Sequence, residues 1–145
     1  MEEIKVRLIE YGSDDYKAEL EMRDRILRKP LGLSIYDEDL GQEKPYFHIG
    51  AFENGKLVGT LLFIDRGEGV CQMRQVAVCE GMRRRGIGRK MVLFGESLMR
   101  EKGFSKIVLE ARKVALEFYL SLGYRTAGPE ELRLGIPHYE MEKGI

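Results

Sequence analysis

From residue 83 to residue 90 the chain reads Arg-Arg-Arg-Gly-Ile-Gly-Arg-Lys, five cations in eight positions, and no acid occurs between Gly81 and Gly95. The run falls where a strand ending near Cys79 gives way to a helical pattern starting at Ile87. Cations at a helix N-terminus oppose its dipole by ~0.3–1 kcal/mol each. Gly86 and Gly88 lower helix propensity by a further ~1 kcal/mol each if they are helical. Both penalties make sense if an anion binds there: free N–H groups point at it, the glycines admit it to the backbone, and arginines close over it. Two familiar phosphate motifs do not fit. Gly88 is followed by Arg89-Lys90-Met91, not the Lys-Ser/Thr of a P-loop, and Met91 stands where a dinucleotide fingerprint needs its third glycine.

The elements that would position this run can be read from periodicity. Residues 3–10 alternate as a strand, and Ser13-Asp14-Asp15 caps a helix that runs to Lys29, where Pro30 ends it. Residues 30–45 read as a loop carrying Asp37-Glu38-Asp39. Strands at 46–53 and 56–64 flank Asn54-Gly55, the strongest hairpin signal in the chain, and a turn at 65–69 leads to a third strand at 70–79. Ile87, Met91, Phe94 and Leu98 then mark one face of a helix that Gly103 closes. A buried strand at 106–111, a short helix at 114–122 and two last strands at 124–127 and 137–142 complete the order β-α-β-β-β-α-β-α-β-β. This is one mixed α/β domain over residues 1–145.

Composition narrows the class. The chain has 145 residues, 43% hydrophobic and 33% charged, with 24 basic against 24 acidic residues. That is a globular composition, and its zero net charge argues against a general nucleic-acid binder. No apolar run approaches the ~20 residues that span a bilayer. The acidic start Met1-Glu2-Glu3 is unlike a signal peptide, so a cytoplasmic protein without membrane contact is expected. Cys71 and Cys79 on one strand would lie about 26 Å apart at ~3.3 Å per residue, too far for a disulfide. They read as reduced, buried thiols, and with His48 and His138 far apart in sequence no metal site is expected.

The run Arg83-Arg84-Arg85-Gly86-Ile87-Gly88 resembles the Gln/Arg-x-x-Gly-x-Gly/Ala signature of the GNAT acyl-CoA N-acyltransferases. Gln75-Val76-Ala77-Val78 is similar to the end of that family's fourth strand, and Phe118-Tyr119-Leu120-Ser121-Leu122-Gly123-Tyr124 to its Tyr-x-x-x-Gly-Phe/Tyr helix. The ending Gly135-Ile136-Pro137-His138 resembles a bacterial subgroup with that tail. The resemblance implies a central, mostly antiparallel sheet of about six or seven strands flanked by helices. It implies acetyl-CoA between strands 70–79 and 106–111, with its pantetheine arm along the main chain of Val76, Ala77 and Val78. The pyrophosphate would lie on the turn formed by Arg83, Arg84, Arg85, Gly86, Gly88 and Arg89. An amine, small or part of a protein, would attack the thioester directly.

Under that resemblance Tyr119 is the candidate acid for the departing thiolate, since a positioned hydroxyl can protonate a leaving group. The base is open. Strand 70–79 has no Asp, Glu or His, where some family members carry a glutamate, which leaves Glu110, His48, His138 or a bound water. Glu38 and Asp39, in the loop where the family builds its acceptor site, could attract an ammonium group, with His48 and His138 as further acceptor contacts. A non-catalytic acyl-CoA-binding module is the alternative, and exposed edge strands allow a monomer or a homodimer.

Overall fold

Alternation at the N-terminus produces β1 (Ile4–Ile9), which pairs antiparallel with β2 (Phe47–Glu53). In a computed structural model that describes residues 3–82 and 85–145, the sheet continues through β3 (Lys56–Gly67), β4 (Val70–Val78) and β5 (Lys106–Arg112). It ends with β6 (Arg125–Thr126), β7 (Glu131–Arg133) and β8 (Ile136–Gly144). The order is β1-β2-β3-β4-β5-β8-β6, with β7 on β8, and among the described residues only the β4–β5 pair is parallel. The eight strands exceed the expected six or seven because β7 forms in the stretch read as turns. The sheet is the open, mostly antiparallel one expected.

Two turns follow their residues. Asn54 (φ 52°) and Gly55 (φ 75°) both take the left-handed conformation that a type I′ hairpin demands. The next turn is tighter than its Gly-rich sequence suggests: β3 runs on to Gly67, and Glu68 and Gly69 alone make the bend.

The first helix departs from expectation. Ser13 caps α1 (Asp14–Arg23) by accepting from the Tyr16 N–H, but regular α-helix stops at Arg23, not Lys29. A π-helical turn (Asp24–Arg28) and a 3₁₀ turn (Lys29–Leu31) follow. Pro30 has no N–H to give the Ile26 carbonyl and its ring crowds it, so the last turns cannot close as α-helix. The Asp24 carboxylate instead accepts the Ile35 N–H at 2.8 Å and ties the turn to the following loop.

The sheet is covered on both faces. On one lies α2 (Ile87–Glu101), whose Ile87, Met91, Val92 and Met99 pack with Leu61, Phe63, Met73 and Leu109. The helix sits so close to β3 that a Cβ at Gly95 would lie 2.5 Å from Phe63 Cε2. On the other face α1 sets Tyr16, Leu20 and Met22 against Ile9, Phe52 and Leu57. The short helix α3 (Leu116–Ser121) follows β5 and brings Tyr119 to the first of these cores.

One irregularity shapes the site. Leu62 pairs with Arg74 and Thr60 with Ala77, so Leu61 faces two residues, Gln75 and Val76, in a β-bulge where Gln75 has φ 55°. The parallel register of β4 with β5 covers only Val70–Gln72 against Lys106–Val108. Beyond that point the strands part.

Candidate active site

The bulge turns β4 away from β5 and opens a cleft of about 690 Å³ between them. Val76, Ala77 and Val78 form one wall, and Phe118 and Tyr119 of α3 the other. On the β5 side the main chain of 76–78 has no strand partner among the described residues. The N-terminus of α2 lies at the mouth. Gly86 is its N-cap, in the left-handed conformation (φ 76°), and no side chain among the described residues caps it. The first intrahelical bond is Lys90 N–H to the Gly86 carbonyl, so the earlier N–H groups have no helical acceptor. Gly88 lies close against α3: a Cβ there would lie 3.3 Å from Phe118 Cζ.

The basic run is less uniform than its sequence. Arg83 and Arg84 lie outside the described residues. Arg85 turns its guanidinium to Glu53, at 2.5 Å, in an exposed ion pair. Arg89 lines the cleft.

Tyr119 is 7% exposed and packs edge-on against Phe118 and Tyr124. Burial pushes its hydroxyl up to about 12, so it stays protonated at neutral pH. Its hydroxyl has no hydrogen-bond partner among the described protein groups, and the residue lines the cleft.

A second cleft of about 230 Å³ adjoins the first, and Leu27 and Arg112 line both. Glu110 and His138 border it, on the face of the sheet away from α2. Strand alternation puts them there: Leu109, Ala111 and Met141 point into the α2 core, so Glu110, Arg112 and His138 point out. Glu110 is exposed and bonded to Arg133 at 3.3 Å. His138 Nδ1 lies 2.8 Å from the Ile136 carbonyl oxygen. A carbonyl only accepts, so Nδ1 carries the proton and a neutral ring keeps its lone pair on Nε2.

Three expectations need correction. His48 is not an acceptor-site group: it is 1% exposed beneath α1, with Nδ1 2.8 Å from Glu19 Oε2 and Nε2 2.9 Å from the Glu43 carbonyl. Both nitrogens face acceptors, which favours the charged ring; burial is the largest influence and opposes that charge, but the Glu19 and Glu43 contacts together outweigh it and raise the pKa. Glu38 is spent on Arg28, at 2.6 Å, and Asp39 accepts from Gln42, so neither acid lines the clefts. Cys79 is half-buried rather than buried; Cys71 is buried, which pushes its thiol up to about 12.

Periodicity also hid a cluster behind the bulge. Arg23, fully buried on α1, donates to Glu19 at 2.8 Å, to both Glu43 oxygens and, through Nε, to Gln75 Oε1 at 2.8 Å. Glu19, Glu43 and His48 place ligand atoms within 4.8 Å of one another, but Arg23 donates into both carboxylates, so the group is an ion-pair cluster. Burial would raise the Glu43 pKa, yet Arg23 holds it below the ordinary carboxylate range. The cluster grips the bulge residue itself. The signal was present in the sequence: Arg23 shares the apolar face with Leu20 and Leu27. Arg23→Met is expected to cost about 3–5 kcal/mol, because two buried carboxylates lose their cation. Urea unfolding checks it; a loss under ~1 kcal/mol would mean that the cluster relaxes to solvent.

The Acetyltransferase (GNAT) family model matches residues 10–124. The chain belongs to this GNAT family. The Bacillus subtilis protein BSU40680, named as an acetyltransferase, is 33% identical over 96 residues, which are 66% of this chain and 65% of that protein. The match thus spans just under two thirds of that relative's length. Escherichia coli ElaA has the same fold (TM-score 0.82, 20% identity, 99% of each chain). So does the PaiA N-acetyltransferase of Thermoplasma acidophilum, solved in complex with coenzyme A (TM-score 0.72, 16% identity, 99% of each chain). At these identities the two structures speak to the fold alone. In this GNAT chain no described helix is long and apolar enough to cross a membrane.

Proposed function

We propose that the protein is an acetyl-CoA-dependent N-acyltransferase that acetylates a primary amine. The supporting observation is the parting of β4 from β5, which joins an uncapped helix N-terminus to a protonated tyrosine through one continuous cleft. Its residues fit the donor. Main-chain N–H groups at the start of α2 suit a pyrophosphate, and Arg89 adds charge. The open strand edge at 76–78 suits an amide-bearing pantetheine arm laid along it.

When bound, acetyl-CoA supplies the acyl group, and its C–S bond breaks as the C–N bond to the amine forms. Tyr119 gives its hydroxyl proton to the departing sulfur. His138 takes the proton released by the amine nitrogen on Nε2. Glu110 is the weaker base candidate because Arg133 holds its carboxylate.

A panel of amines with acetyl-CoA, followed by free-thiol release and acceptor mass, tests the reading. Thiol release matched by acetylated product supports it; coenzyme A binding without turnover on any amine would leave an acyl-CoA-binding module. His138→Gln is expected to lower kcat about 10²-fold at neutral pH. The deficit shrinks as pH rises and the amine arrives already neutral. A deficit independent of pH would remove His138 as base.

A further inference from the structure

The second cleft is cationic, where acids at Glu38 and Asp39 were expected to meet the acceptor. Alternation sets Arg74 on β4 and Arg112 on β5 on the same sheet face as His138, whose Cα partner across β5 and β8 is Arg112. All three line the second cleft, with Arg28 facing them from the turn after α1. Arg28 pairs with Glu38, and Glu110, the one acid among the described residues bordering this cleft, shares Arg133 with Glu131. Arg74 and Arg112 have no carboxylate partner among the described residues. Two guanidiniums without a paired acid, against the single carboxylate of Glu110, leave the cleft net positive; they repel each other and repel an ammonium ion. They suit a bidentate oxyanion.

We propose that the acceptor is a small amine bearing a carboxylate or phosphoryl group. Arg74 and Arg112 hold its anion, and His138 Nε2 faces its nitrogen. This rests on the acetyl-transfer reading. The anion would draw in a substrate whose ammonium alone is unwelcome, and the same cations favour loss of the amine proton. At about 230 Å³ the cleft is smaller than a drug-sized site of ~300–1,000 Å³, which favours a compact acceptor.

The test uses matched amines that share a skeleton and end in carboxylate, phosphonate or carboxamide at two- and three-carbon spacings, with spermidine added, and follows thiol release. At least one anionic member should exceed its carboxamide by about 10²-fold in kcat/KM, as charge-assisted hydrogen bonds imply. In the folded variant Arg74→Gln, confirmed by circular dichroism, that ratio should narrow at least tenfold through KM. Turnover confined to carboxamides or spermidine, or a ratio that Arg74→Gln does not move, overturns the anionic acceptor while the transferase reading stands. Thiol release with no amine at all overturns the transferase reading and this one with it.

Discussion

Gly88→Asp is expected to abolish coenzyme A binding while the fold survives. The glycine stands in the first turn of α2, at the mouth of the cleft, where a Cβ would meet Phe118 Cζ at 3.3 Å and Val78 Cγ2 at 4.0 Å. That contact is tight, yet the rim of a phenyl ring on a short helix can yield by a few tenths of an ångström. An acid in a first helical turn also favours the helix, by ~0.3–1 kcal/mol. Stability should therefore change little, and a thermal melt reads it. Binding should fail for two reasons. The carboxylate takes the N–H groups proposed for the pyrophosphate, and its charge repels what remains. Calorimetry with coenzyme A and with dephosphorylated pantetheine separates the causes. Coenzyme A should lose at least ~10²-fold, the scale of charge-assisted hydrogen bonds lost together, while pantetheine, which carries no phosphate, loses far less. Gly88→Ala, which adds only the methyl, should fall between. Wild-type affinity for coenzyme A in Gly88→Asp would put the anion cradle elsewhere.

The local elements of this fold were legible because each carries a short-range cause. Asn54-Gly55 forces φ > 0, Ser13 caps α1, and Ile87, Met91 and Leu98 set the period of α2. What stayed hidden depends on contacts distant in sequence. The bulge at Gln75 is held from α1 by Arg23, 52 positions away, and nothing in Gln75-Val76-Ala77 announces a left-handed glutamine. His48 looked available because a lone histidine gives no sign of its surroundings; it is buried because Glu19 and Glu43 come to it from α1 and the following loop. The acidic triplet was misplaced for the same reason, since Arg28 claims Glu38 across ten residues. By contrast the glycine-led start of α2 was legible at Gly86 and Gly88, where residues work against helix stability within a few positions of one another. Conflict with a local rule is visible in sequence, whereas satisfaction by a distant partner is not.

Tyr119→Phe should lower kcat by ~10²–10⁴, the usual contribution of a positioned acid, and leave acetyl-CoA affinity nearly unchanged. The substitution removes one oxygen and keeps the ring against Phe118 and Tyr124. That hydroxyl has no hydrogen-bond partner among the described protein groups, so its loss strands no buried donor or acceptor and stability should hold. Because burial pushes Tyr119 up to about 12, the wild-type hydroxyl remains a donor across the working pH range. Its effect belongs to the transition state, where charge gathers on sulfur, so it should appear in kcat and not in donor binding. The pH dependence follows from the leaving group. An ordinary thiol ionises near ~8.5, and above that pH the sulfur departs as thiolate without needing a proton. The deficit of Tyr119→Phe should then shrink well before Tyr119 itself could ionise. Single-turnover rates at saturating amine, taken from neutral pH upward, isolate the chemical step from product release. If donor affinity falls while the single-turnover rate holds, Tyr119 is a binding residue and the sulfur draws its proton from solvent. If the deficit keeps its size from neutral pH to well above the thiol range, the hydroxyl orients the thioester and gives up no proton.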